Sequence, residues 1–143
     1  MLLLILTTSV AFSQNNAASK PALFASYPNV INCNASELNR AFSIAGNQAV
    51  TLSLAGGFSF TGNVTSNVVK YSNLQTVVIK SPLFNNAIFH LSKRTNPDNS
   101  ISFVGRIINQ EYNDGYELKQ DAAGNYQLRK IETEKVIQTC SGH

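Results

Sequence analysis

Hydrophobic and polar positions along this chain change rhythm several times, and each change predicts an element. Leu2 to Leu6 form an unbroken apolar run, extended by Val10, Ala11 and Phe12. Ala11-Phe12-Ser13 then sets two small residues where a signal peptidase reads them, with the cut before Gln14. A short apolar stretch ending in such a site predicts a secretory signal peptide over residues 1–13. The run falls short of the roughly 20 apolar residues a membrane helix needs. It also lacks the usual Lys or Arg ahead of it, so a buried N-terminal strand is the competing reading.

Residues 14–28 are polar and broken by Pro21 and Pro28, which predicts a flexible N-terminal linker, with Phe24 and Tyr27 able to reach the core. Residues 29–143 then read as a single globular domain. Leu38, Ala41, Phe42 and Ala45 share one helical face. Asn34 or Ser36 can cap that helix, and Gly46 ends it after about three turns.

From Ala49 the period becomes two. Val50, Leu52 and Leu54 alternate with polar residues, and Ala55-Gly56-Gly57 supplies a turn. Phe58, Phe60 and Val64 continue the alternation, with Gly62 expected at a bulge. Further strands are expected at Leu74–Lys80, Ala87–Ser92 and Ile101–Ile108, the last two separated by the turn Asn96-Pro97-Asp98-Asn99. Tyr116, Leu118, Tyr126 and Leu128 fall on one face of a hairpin that turns at Ala123-Gly124-Asn125. Ile131 to Gln138 reads as a short terminal helix.

Short strands at close spacing imply antiparallel neighbours, because parallel strands need longer crossovers. The expected class is therefore α+β and β-rich. It has one N-terminal helix followed by an antiparallel meander of about six to seven strands, curled on that helix. A small barrel or sandwich is the alternative.

Charge refines this picture. The formal net charge is only +3, and the basic doublets are Lys93-Arg94 and Arg129-Lys130. Nucleic-acid binding needs many phosphates neutralised on one face, so this scattered pattern argues against it. Between Gln14 and Val69 the charged residues are Lys20, Glu37 and Arg40, leaving a weakly charged, Asn- and Ser-rich half. After the signal, no segment is long and apolar enough to span a membrane.

Cys33 and Cys140 are the two cysteines, and in an exported chain they are expected to form a disulfide. Closing a loop of that length contributes about 4.7 kcal/mol in the chain-entropy account. Two free thiols or an intermolecular bridge are the alternatives. Two distant cysteines without clustered histidines make a poor metal signature.

Catalytic patterns are weak. His90 alternates with Phe89 and Leu91, so it points away from the core, and His143 ends the chain. Glu111, Asp114, Glu117 and Asp121 are close in sequence, as a glycosidase pair requires, but fall at a turn and on a hairpin face where solvation is the plain reading. No nucleophile elbow and no phosphate loop is present, and nothing calls for a cofactor. Asn34 and Asn63 head glycosylation sequons.

Tyr112, Tyr116 and Tyr126 gather near the last hairpin with Asn113, and such rings beside amides can dock a sugar or peptide. With His90 they form the candidate partner surface, although Tyr116 and Tyr126 are in phase with core leucines. The function expected is a secreted or periplasmic, non-catalytic binding or structural module for a protein or glycan outside the cytoplasm. A small secreted hydrolase is one alternative. The other is a protease-inhibitor-like domain presenting the loops Asn96–Asn99 and Glu111–Gly115.

Overall fold

A computed structural model describes residues 19–138, with side chains described as far as Lys135. Residues 1–13, where a signal peptide is expected, lie outside the described residues, as do Cys140 and His143. The chain forms β1 (Val30–Cys33), α1 (Ala35–Arg40), β2 (Ala49–Ser53), β3 (Ser59–Tyr71) and β4 (Leu74–Ser81). It continues with β5 (Ala87–Thr95), β6 (Ile101–Ile108), β7 (Asp114–Gln120), β8 (Tyr126–Glu132) and α2 (Thr133–Gln138).

All eight strands belong to one antiparallel sheet, ordered β1-β8-β7-β6-β5-β4-β3-β2. From β2 to β8 each strand pairs with the next, so the meander expected from the short spacings is present. The sheet curls into a half-barrel. Its two edges are β1 and β2, the pair that α1 connects, and β1 comes up against the turn that follows β2.

The helix differs from expectation in two ways. It does not come first, because β1 precedes it and pairs with β8. It is also short. Asn34 caps it, its Oδ1 accepting the Ser36 N–H at 2.9 Å, but after Arg40 the chain tightens into a 3-10 turn over Ala41–Ser43. The reason lies in the sheet. The Asn67 side-chain amide donates to the carbonyls of Phe42 and Ile44, both at 2.9 Å, and Gln75 adds a bond to Phe42 at 3.2 Å. Carbonyls that another helical turn would have used are thus satisfied by β3 and β4. Leu38, Ala41 and Phe42 are buried as expected, whereas Ala45 is exposed.

The concave side of the sheet is filled by aromatic rings. Phe24 lies 5.1 Å from Tyr116 and 5.3 Å from Phe84, centroid to centroid, and Phe84 stacks on Phe58 and Phe60. Phe103 packs between Phe42 and Tyr126 at the other end. Tyr116, Leu118, Tyr126 and Leu128 all point inward, as their shared phase predicts.

Phe24, in the segment read as a linker, does reach the core and is fully buried. Its backbone N–H and that of Leu23 donate to the Asp114 carboxylate at 2.9 and 2.7 Å. Asp114 is accordingly buried, which corrects its expected place on a solvated face. The cause is phase, since Asp114 begins β7 in step with inward Tyr116 and Leu118. Gly62 is corrected as well. The register shifts in β3 fall at Val64/Ser66 and Val69/Tyr71, and Gly62 instead marks a close approach where a Cβ would collide with the Lys80 carbonyl.

Candidate functional site

Packing closes the inner face, a pocket of about 570 Å³ bordered by Asn34, Ser53, Leu54 and Asn125 opens at the seam where β1 meets the turn after β2, and the convex face presents the outward side chains of the strands. Strand alternation decides which side chains stand there. On β5 these are Ile88, His90, Ser92 and Arg94, while Phe89 and Leu91 face in. On β6 they are Ser102, Val104, Arg106 and Ile108, on β7 Glu117 and Lys119, and on β8 Gln127 and Arg129.

Register aligns some of them into a row running across the strands. Val78 faces His90, His90 faces Arg106, Arg106 faces Glu117, and Glu117 faces Arg129. Glu117 Oε1 receives both Arg106 Nη2 at 3.4 Å and Lys119 Nζ at 3.3 Å. Arg129 is steadied by Gln127, whose Oε1 accepts from its Nη2 at 3.0 Å. Such exposed contacts contribute about 0–1 kcal/mol each, so their role is to fix where charge sits.

Beside this row the sheet splits. Pairing between β6 and β7 runs from Ile108↔Gly115 to Gly105↔Leu118 and then stops. The remaining first half of β6 parts from the end of β7. Into the gap comes the Tyr126 hydroxyl, from β8, which accepts the Phe103 backbone N–H at 3.1 Å. A groove of about 590 Å³ follows the split, walled by His90, Ser92, Ser102, Arg106, Lys119 and Gln120 and floored by Phe103 and Leu118.

The candidate residues from the sequence are thus dispersed. His90 stands exposed in the groove, separated from Glu117 by Arg106 in the row. Tyr116 is in the core, its hydroxyl donating to the Pro28 carbonyl at 2.6 Å. Burial, together with the charge of Asp114, pushes its phenol up to about 12. Tyr126 is buried beneath the split, as described. Tyr112 is half-buried and accepts from the Asn85 amide at 2.6 Å, and the Asn113 backbone bonds Pro21 and Thr133.

Cys33 carries a free, buried thiol, and burial pushes it up to about 11. No disulfide occurs among the described residues, and its expected partner Cys140 lies outside them.

The acidic residues do not converge. Asp114 faces in, Glu117 faces out, and Glu111 is exposed. Asp121 holds the last hairpin turn by accepting the N–H groups of Asn125 and Ala123, both at 2.9 Å. Those bonds, that from Asn125 foremost, lower its carboxyl below the ordinary range. Asp98 braces its own turn through Ser100 in the same manner. Among the described residues no group of three His, Cys, Asp or Glu is arranged to hold a metal ion, and no helix is long and apolar enough to cross a membrane. Of the sequons, Asn34 is exposed at the α1 cap and Asn63 is exposed on β3.

What sequence reasoning missed is the gathering of charge. Each basic doublet is divided by alternation. Arg94 and Arg129 point outward, whereas Lys93 lies over the Phe42 ring at 5.0 Å and Lys130 donates to the Phe24 and Tyr27 carbonyls, both at 2.8 Å. The period-two signal was available for this assignment, but the pairing that aligns Arg106 with Glu117 and Arg129 is long-range.

Comparison with protein-family models, with curated proteins and with solved structures finds no match to this chain.

Proposed function

We propose that this chain is an exported, non-catalytic binding module that takes a protein or glycan partner on the convex face of its sheet. The observation that carries this reading is the groove at the β6–β7 split, where charged side chains in register border an opening in the sheet. Aromatic packing fills the concave side, whereas the convex face carries charged groups held by ion pairs and hydrogen bonds. Binding sites combine an apolar floor with a few placed polar groups, and Phe103 and Leu118 beneath His90, Arg106 and Lys119 fit that description.

The test is retention of partners by immobilised full-length chain against an Arg106→Gln, Arg129→Gln variant. Partners held by the first and released by the second support the reading, and equal retention opposes it. One observation favours a hydrolase as second reading, namely that His90 and Glu117 border the same groove. Their backbones stand two strands apart, about 10 Å, and Glu117 is occupied by two cations. A substrate turned over by the chain but not by His90→Ala would decide for it.

A further inference from the structure

Five of the chain's eleven basic side chains, Lys80, Arg94, Arg106, Lys119 and Arg129, stand exposed on the convex face of β4–β8. Of the eight acidic side chains, strand alternation sets Glu117 among them, and Glu132, at the end of β8, borders a surface pocket with Arg129. The modest net charge of the whole chain therefore conceals a one-sided distribution. Register sets Arg106 and Arg129 in one row, with Lys119 one outward position and Arg94 two outward positions further along their strands, so the cations of β5 to β8 form a staggered ladder of sites across the sheet rather than a single pocket. A ladder suits a ligand that repeats, and its sign calls for an anionic one.

We propose that this face binds a linear anionic polysaccharide lying across β5 to β8, a proposal that rests on the convex-face reading above. Polar groups suited to sugar hydroxyls stand between the charges. Thr76 and Ser92 share a hydrogen bond at 3.0 Å, and Gln127 donates to Asn32 at 3.1 Å.

Other polyanions fit less well. Single-stranded nucleic acid is held by aromatic platforms on which bases stack, and no Phe, Tyr or Trp projects outward from β4–β8, exposed Tyr71 standing at the margin on β3. Protein partners are anchored by large apolar or aromatic side chains seated in pockets. Here the exposed apolar residues are the small valines Val30, Val68 and Val104, set apart on β1, β3 and β6, and the isoleucines of β5, β6 and β8 that share their face are half-buried.

Glu117 restrains the face. Its carboxylate neutralises part of Arg106 and Lys119, so removing its charge releases two cations to the ligand. That gives the proposal a gain-of-binding test, which loss of folding cannot imitate.

The experiment measures binding of the full chain to polygalacturonate, dextran sulfate, neutral dextran, poly-glutamate and an oligothymidine, at low and at physiological ionic strength. Both anionic polysaccharides are expected to bind, with affinity falling as salt rises, and neutral dextran is not. Arg94→Glu with Arg129→Glu lowers affinity by about tenfold or more, from the loss and reversal of two contacts. Glu117→Gln raises it severalfold, and Lys70→Glu, on the β3–β4 hairpin, leaves it unchanged. Equal binding of neutral dextran, or a preference for poly-glutamate or the oligothymidine, overturns the polysaccharide while leaving the face as the binding surface. Polysaccharide binding that is indifferent to Arg94 and Arg129, or equally sensitive to Lys70, overturns the face itself.

Discussion

The hydroxyl of Tyr126 accepts the backbone N–H of Phe103, joining β8 to β6 beneath the end of the strand that separates them. Their rings also pack edge to face, 5.5 Å apart. This pair substitutes for the ladder bonds that β7 ceases to make beyond Leu118, and so holds the split at the width of the groove.

Tyr126→Phe keeps the ring contact but strands the Phe103 N–H. The expected cost is about 1–3 kcal/mol, the penalty for an unsatisfied buried donor. Urea denaturation checks the magnitude. Faster amide exchange confined to Phe103 and its β6 neighbours would show that the loss is local to the split. Unchanged exchange there would mean that the hydroxyl is not what holds the strand.

Asp114 fastens the segment before β1 to the start of β7. Charge-assisted hydrogen bonds contribute about 1.5–3 kcal/mol each. Asp114→Asn keeps at most one acceptor for two donors, so it is expected to destabilise the fold by about 2 kcal/mol. Chymotrypsin cleavage after Phe24 and exchange of the Leu23 and Phe24 amides should both accelerate. Stability equal to that of the parent chain would contradict the anchoring role.

Two buried acids govern stability at high pH. Cys33 is pushed up to about 11 from 9.0 and Tyr116 up to about 12 from 10.0, desolvation being the main cause in both. Each holds its proton more tightly folded than unfolded. Its contribution is complete below the unfolded value and is lost as pH rises through the folded one. Under reducing conditions the urea midpoint should therefore stay level to about pH 9 and fall steadily above it. Cys33→Ser should remove the first part of that decline, and an unaltered profile would count against the thiol as its source.

Much of this architecture is legible in the alternation of residues. The strand at Ile101–Ile108 has the boundaries expected of it, and the inward phase of Tyr116, Leu118, Tyr126 and Leu128 holds. Asp114 was legible by the same rule, being in step with Tyr116, but a carboxylate reads as solvated until its two backbone donors are known. β1, at four residues, is too short to stand out in the alternation. It exists as a strand because Ile31 and Cys33 pack inward while the backbone pairs with β8.

The helix was over-read for a similar reason, since the groups that end it, Asn67 and Gln75, are distant in sequence. The candidate site was the least legible part. Its tyrosines belong to the core or to turns, and its cations gather only when five strands are laid side by side.

The most direct test of the central claim is a titration of the isotopically labelled chain with polygalacturonate, followed by amide and arginine side-chain NMR shifts. The account predicts shifts concentrated on His90, Arg94, Arg106, Lys119 and Arg129 and along the open edge of β6. Shifts centred instead on the seam near Cys33 and Leu54, on the hairpin turns, or spread evenly over the surface would contradict it.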